Sequence, residues 1–336
     1  MSKKCYGLGV IGCGVIWEVG HMPGLQKMDG EFKLQYVYDI NPALTEKAAN
    51  QTGAKALTDP DEMFESKDVD IVAILTPPFA RVEYVKKACA AGKHLMLEKP
   101  MARTIDQALE IYSSVRTSGA KCFIPFARTG RSDFLKVPRI IQSGDLGDPL
   151  AFIHIHITGP YPWIPLDHWM HDQDKSGGPI FDFSIHFIEM ARACLGAEAE
   201  SVIYGGAATT GRVQSDDQVT ALVHYKGGGF GEFTKSWAIP PQVKFGHGGT
   251  FVICRDAVVT IDPKVEIHTA DGVREVTRDD TGHEGRIRQY RNLISAIEDG
   301  TPLFASELEG LRTIEILDAA ERSRASGRRE PVHLHN

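Results

Sequence analysis

Three residues carry the acid–base chemistry this sequence can offer. They are Lys99 in Glu98-Lys99-Pro100, and the pair Asp182 and His186 in Gly177-Gly178-Pro179-Ile180-Phe181-Asp182-Phe183-Ser184-Ile185-His186. Residues four apart share one face of an α-helix, so a carboxylate at 182 can orient an imidazole at 186 and raise its basicity. Such an imidazole can take the proton of a hydroxyl as hydride leaves the carbon. Lys99 can stabilise the developing alkoxide as a cation or share the proton transfer. Pro100 biases Lys99 to an extended backbone, which gives the ammonium one direction. This chemistry requires a hydride acceptor and a site to hold it.

The candidate site is Gly12-x-Gly14, placed where a first strand ends and a helix opens with Val15 and Ile16. Backbone amides and a helix N-terminus at that point can receive a pyrophosphate. Trp17 occupies the third small position of the glycine fingerprint, where an indole is expected to hinder close packing of helix on strand. Asp39 ends the second strand 25 residues after Gly14 and can accept a ribose hydroxyl. It favours NAD over NADP, since Ile40-Asn41-Pro42-Ala43 holds no arginine to meet a 2′-phosphate. Thr76-Pro77-Pro78 and Glu98 follow apolar runs at the carboxyl edge, where open α/β sheets bind ligands.

These residues need a scaffold, and two patterns supply it. From residue 5 to about 125, short apolar runs (6–11, 32–38, 69–75, 94–97 and 121–126) alternate with amphipathic stretches such as 79–91 and 105–118. This predicts βαβ units on a parallel sheet, a Rossmann-type dinucleotide domain over residues 1–126. Residues 127–336 read as a second α/β domain, with a large open, mainly antiparallel sheet over 150–158, 201–207, 218–225, 230–237, 250–254, 258–261 and 265–268. Gly227-Gly228-Gly229 and Gly246 to Gly249 are expected to be tight turns, and helices over 183–194, 283–298 and 307–326 to cover one face. The other face then calls for a partner subunit.

Composition narrows the function. A net charge of −7 over 336 residues, with no basic cluster, argues against nucleic acid or an anionic membrane surface. Six scattered cysteines form no disulfide or zinc pattern and read as reduced thiols; with no leader-like apolar stretch after Met1, a cytoplasmic location is expected. His154-x-His156 and His168-x-x-His171 could face a metal, but no further ligand set accompanies them, so no metal is assigned. The segment from Pro160 to Trp169, with Trp163 and His168, forms an aromatic wall suited to a sugar or cyclic polyol, or else to loop packing or a subunit contact. Arg128 is a candidate for substrate oxygens, whereas Arg131 suits a structural ion pair.

Taken in order, Gly12-x-Gly14, Asp39, Thr76-Pro77-Pro78, Glu98-Lys99-Pro100, Gly177-Gly178, Asp182-x-x-x-His186 and the closing Arg322-Ser323-x-x-x-Gly327 resemble the Gfo/Idh/MocA oxidoreductases over nearly the whole chain. The resemblance implies NAD(P)-dependent oxidation or reduction at a sugar or polyol carbon. It also implies a homodimer or homotetramer through the open sheet, a catalytic set of Lys99, Asp182 and His186, and a cis Lys99-Pro100 bond. Trp17 and Arg81 depart from the pattern, the latter standing where many members carry histidine. Two alternatives stay open: an NAD-dependent glycoside hydrolase working by transient oxidation and elimination, and a non-catalytic nucleotide sensor.

Overall fold

The structure is a computed structural model that describes residues 4–240 and 242–335, so Lys3 at the basic start lies outside the described residues. The chain divides into two compact units that are not contiguous in sequence. The first comprises the chain up to Gly130 with Asp280–Leu311, and the second Arg131–Asp279 with the chain from Arg312 onward. The sequence pattern placed one cut between residues 126 and 127. The segment that crosses that cut includes the helix Glu284–Glu298, whose Ile287, Tyr290, Leu293 and Ile294 join the core cluster of Tyr6, Leu8, Val10, Phe32 and Phe123.

In the first unit, β1 (Tyr6–Ile11), β2 (Phe32–Tyr38), β3 (Lys55–Ala56), β4 (Ile71–Ile74), β5 (His94–Leu97) and β6 (Cys122–Phe123) form a parallel sheet in the order β3-β2-β1-β4-β5-β6. The order reverses at β1, which places the turn after β1 at the switch point where such sheets bind dinucleotides. β1 and β4 are buried throughout, as strands covered on both faces must be. Thr104 caps the helix Ile105–Ser118 by accepting from the Gln107 amide, and Gly119 closes it in a left-handed conformation.

In the second unit, β7 (Pro149–Ile157), β8 (Ala199–Ala207), β9 (Gln218–Tyr225), β10 (Phe230–Ser236), β11 (His247–Cys254), β12 (Val258–Asp262), β13 (Glu266–Thr269), β14 (Gly272–Glu275) and β15 (Glu330–Pro331) form one sheet, ordered β14-β13-β12-β11-β7-β10-β9-β8-β15. All pairings are antiparallel except β7 with β10. Residues 247–249, expected in a turn, lie in β11 opposite Ile157, His156 and Ile155. A Cβ on Gly248 would stand 2.3 Å from the Ile155 carbonyl oxygen, so these glycines serve close strand approach and not chain reversal.

Candidate active site

At the carboxyl edge of the first sheet, Gly12 has φ +97°, and a Cβ there would lie 2.9 Å from the carbonyl carbon of Leu75 and the amide of Thr76. Only glycine lets the ends of β1 and β4 come so close. A Cβ on Gly14 would meet nothing within 4 Å, so the chain there borders open space. The Asp39 carboxylate is fixed by two amides, accepting from Cys13 N and Asn41 N at 2.8 Å each. Val15, Ile16, Ile40 and Phe79 are exposed apolar side chains along this edge, and the Thr76 hydroxyl is buried without a partner among the described residues. Uncovered apolar surface, an unpaired hydroxyl and a carboxylate at the switch point fit a dinucleotide.

Trp17 does not obstruct this turn. The indole is 1% exposed and belongs to the core cluster, and the helix is wound into a wider π turn over Trp17–His21 where the bulky residue enters. The extra width removes the expected clash between helix and strand.

Three donors converge on the carboxylate of Glu98, which is 3% exposed. One carboxylate oxygen receives His21 Nε2 at 3.0 Å and Arg286 Nη2 at 3.4 Å; the other receives the Lys99 amide at 3.0 Å. His21 Nδ1 sits 2.8 Å from the Tyr290 hydroxyl. Burial, reinforced by the Arg286 charge, pushes the His21 imidazole down to about 4, so it is neutral at physiological pH. A neutral ring that donates from Nε2 to Glu98 then accepts from Tyr290 at Nδ1, which satisfies both nitrogens. Burial alone would raise the Glu98 carboxyl, but the His21 bond and the charges of Arg286 and Lys99 hold it well below the usual carboxylate range. Glu98, read from sequence as lining the cofactor, thus faces inward and anchors the backbone of Lys99. The Lys99–Pro100 bond is cis.

In the second unit, Asp182 lies in a π turn over Ile180–Ser184, and His186 in the α-helix Ile185–Leu195 that continues it. The four-residue spacing was read as one turn of regular α-helix; the turn is wider there, so the pair is not a plain i,i+4 couple. Gly177 and Gly178 precede it with φ of +82° and +74°, and a Cβ on Gly177 would strike the Phe181 ring at 2.3 Å. Tyr161 donates to Asp182 Oδ2 at 2.7 Å, and its ring lies 5.2 Å from that of Trp163, which is 67% exposed. His168 Nδ1 accepts from the Met170 amide at 3.4 Å, capping the 3-10 turn Trp169–His171.

Sequence reasoning missed Lys235. Its ammonium lies 2.8 Å from His156 Nδ1 and 3.1 Å from the Thr158 hydroxyl, with the rings of Phe183 and Tyr161 at 5.1 and 5.9 Å. Burial lowers it to about 8 against the pull of Asp182. The signal was present: in β10 the inward phase runs Gly231, Phe233, Lys235, which puts a lysine where alternation demands an apolar side chain. His154 stacks on Phe187 with centroids 3.9 Å apart and pairs with the Thr250 hydroxyl at 2.8 Å. Among the described residues no group of three or more His, Cys, Asp or Glu could hold a metal ion. Arg131 pairs with Asp133 at 2.5 Å, and Arg128 donates to the Phe304 carbonyl at 2.8 Å. Lys99 and Arg128 therefore belong to the first unit, and Trp163, His168, Asp182 and His186 to the second.

Residues 6–126 match the oxidoreductase family with an NAD-binding Rossmann fold, and residues 134–273 match the GFO/IDH/MocA C-terminal domain. The chain belongs to the Gfo/Idh/MocA oxidoreductase family. It is 25% identical to the myo-inositol 2-dehydrogenase of Thermotoga maritima over 94% of this chain and 95% of that one. With the inositol 2-dehydrogenase of Rhizobium meliloti it shares 26% identity over 95% and 97% of the two chains. Among solved structures, levoglucosan dehydrogenase in complex with NADH and levoglucosan superposes with a TM-score of 0.87 at 21% identity, covering 98% of this chain and 100% of that one. That likeness concerns the fold. The protein is an NAD-binding oxidoreductase with a Rossmann domain and a second, mixed-sheet domain. No helix among its described residues is long and apolar enough to cross a membrane.

Proposed function

We propose that this oxidoreductase is an NAD-dependent dehydrogenase that oxidises a secondary alcohol carbon of a sugar, cyclic polyol or sugar derivative. The observation that carries the reading is Lys99, whose amide is held by the buried Glu98 carboxylate at the carboxyl end of a parallel strand, in a chain related to named inositol dehydrogenases. Bound NAD supplies the hydride acceptor. Gly12, Gly14, Val15, Ile16, Asp39 and the Thr76-Pro77-Pro78 turn hold the dinucleotide, and the Asp39 carboxylate disfavours a 2′-phosphate. His186 takes the hydroxyl proton, Asp182 orients the imidazole and is itself held by Tyr161, and the Lys99 ammonium stabilises the alkoxide. Trp163, His168 and Arg128 contact the substrate.

Two further readings complete the assignment. Ile155, Leu222, Phe251 and Ile253 are half-buried on the sheet face opposite His154 and Phe187, which supports a homodimer or homotetramer through that face. Cys13, Cys89, Cys122, Cys194 and Cys254 are buried thiols outside any disulfide, which supports a reducing, cytoplasmic setting. The test is a spectrophotometric screen of polyols, sugars and sugar derivatives with NAD and NADP in parallel. One NADH formed per alcohol oxidised supports the dehydrogenase. Aglycone release with catalytic NAD and no NADH accumulation would replace it with the glycoside hydrolase reading, and tight NAD binding with no redox turnover on any alcohol would leave the nucleotide sensor.

A further inference from the structure

Arg81 stands in the turn between the Pro78–Ala80 3-10 turn and the helix Val82–Ala90, and it is 3% exposed. Among the described residues its guanidinium has no carboxylate in hydrogen-bond contact, the Glu98 charge acting on it only through space. Instead Nε and Nη2 donate to the Thr76 carbonyl at 2.9 and 2.5 Å, while Nη1 donates to the carbonyls of Glu98 and Pro100. Burial lowers the group to about 10, so it remains a cation at neutral pH. Burying a guanidinium with carbonyl partners alone is costly, and a helix start needs no such group, since an apolar side chain would fill the same space. The three carbonyls it gathers are not arbitrary. One opens the Thr76-Pro77-Pro78 loop after β4, and the other two flank Lys99 after β5.

The backbone around Lys99 is thereby fixed on both sides. The amide of Lys99 is held by the Glu98 carboxylate, the preceding carbonyl and that of Pro100 by Arg81. The planar fork of a guanidinium reaches several acceptors in fixed directions, which a single ammonium cannot reproduce.

We propose that Arg81 is a positioning residue for the reaction: it locks the Thr76-Pro77-Pro78 loop to the Glu98-Lys99-Pro100 loop and so fixes where the Lys99 amine is presented. The inference rests on Lys99 as an acid–base group of the proposed dehydrogenase. Misplacing a reacting group by about 1 Å can cost on the order of 100-fold in rate. Arg81→Met and the milder Arg81→Lys, assayed with NAD and the alcohol that turns over fastest in the screen, should therefore show kcat lowered by about 10- to 100-fold. The dissociation constant for NADH, read by fluorescence, should stay within about threefold, and Arg81→Lys should recover only part of kcat, as expected when a point charge replaces a fork. Labelling of Lys99 by trace acetic anhydride, read by peptide mass spectrometry, should change rate in both variants while labelling of the exposed Lys55 does not. A kcat within twofold of wild type in Arg81→Met would overturn the proposal, as would NADH affinity and kcat falling in parallel with Lys99 labelling unchanged. If Arg81→Met does not fold, the same criteria apply to Arg81→Lys. Lys99→Met is run beside them: retained turnover there sinks the Lys99 reading itself, whereas lost turnover there with normal turnover in Arg81→Met sinks the positioning role alone.

Discussion

Acid should destabilise the second unit through His154, and replacing that residue by phenylalanine should make the stability curves of the two proteins cross. His154 is 2% exposed, its Nε2 has no partner among the described residues, and burial together with the charges of His156 and Lys235 lowers it to about 3. An unfolded histidine titrates near 6.5. Between those values the unfolded chain binds more protons than the native one, so stability falls as pH falls below about 6.5 and continues to fall until about pH 3. From pH 7.5 to pH 5 the difference amounts to roughly 2 kcal/mol. His154→Phe keeps a flat ring against Phe187 but removes the hydrogen-bond partner of the Thr250 hydroxyl, a loss of about 1 kcal/mol. The variant should therefore be less stable by about 1 kcal/mol at pH 7.5 and more stable by about 1 kcal/mol at pH 5. Urea unfolding followed by tryptophan emission reads this directly, because Trp163, Trp169 and Trp237 all belong to this unit. Parallel curves, with the variant losing as much between the two pH values as wild type, would show that His154 is not held neutral in the native state.

Tyr161→Phe removes the hydroxyl that donates to Asp182, a bond to a charged acceptor worth about 1.5–3 kcal/mol; kcat should fall by roughly 10- to 100-fold with NADH affinity unchanged, as checked by steady-state kinetics and fluorescence titration. Asp39→Ser removes the charge that a 2′-phosphate would meet, so the ratio of kcat/KM for NADP to that for NAD should rise by at least about 10-fold; an unchanged ratio would remove Asp39 from cofactor choice.

Much of the fold is legible in the sequence because burial writes itself into local pattern. β1 and β4 are continuous apolar runs, and β9 alternates strictly, so both are recoverable without long-range information. The edges are not. β3 is two exposed residues, Lys55–Ala56, and β14 has only Val273 as a large apolar side chain, itself exposed; both exist because a neighbouring strand offers hydrogen bonds. The Gly246 to Gly249 run reads as a turn by residue type and is decided otherwise by the close approach of β7. The site divides in the same way. Lys99, Asp182 and His186 are visible as residue types in motifs. The groups that hold them are distant in sequence: His21 reaches Glu98 from 77 residues away, and Tyr290 reaches His21 across 269. Arg81 was visible only as a departure from a pattern, and its meaning required the three carbonyls it holds.

The central claim is that Lys99 and His186 serve one NAD-dependent hydride transfer. It is tested most directly by the kcat of Lys99→Met and of His186→Ala with NAD and the best alcohol of the screen, beside the NADH dissociation constant of each. The account predicts that both variants lose turnover by about 1000-fold or more, with NADH binding within a few-fold of wild type. Near-normal turnover in both would contradict it.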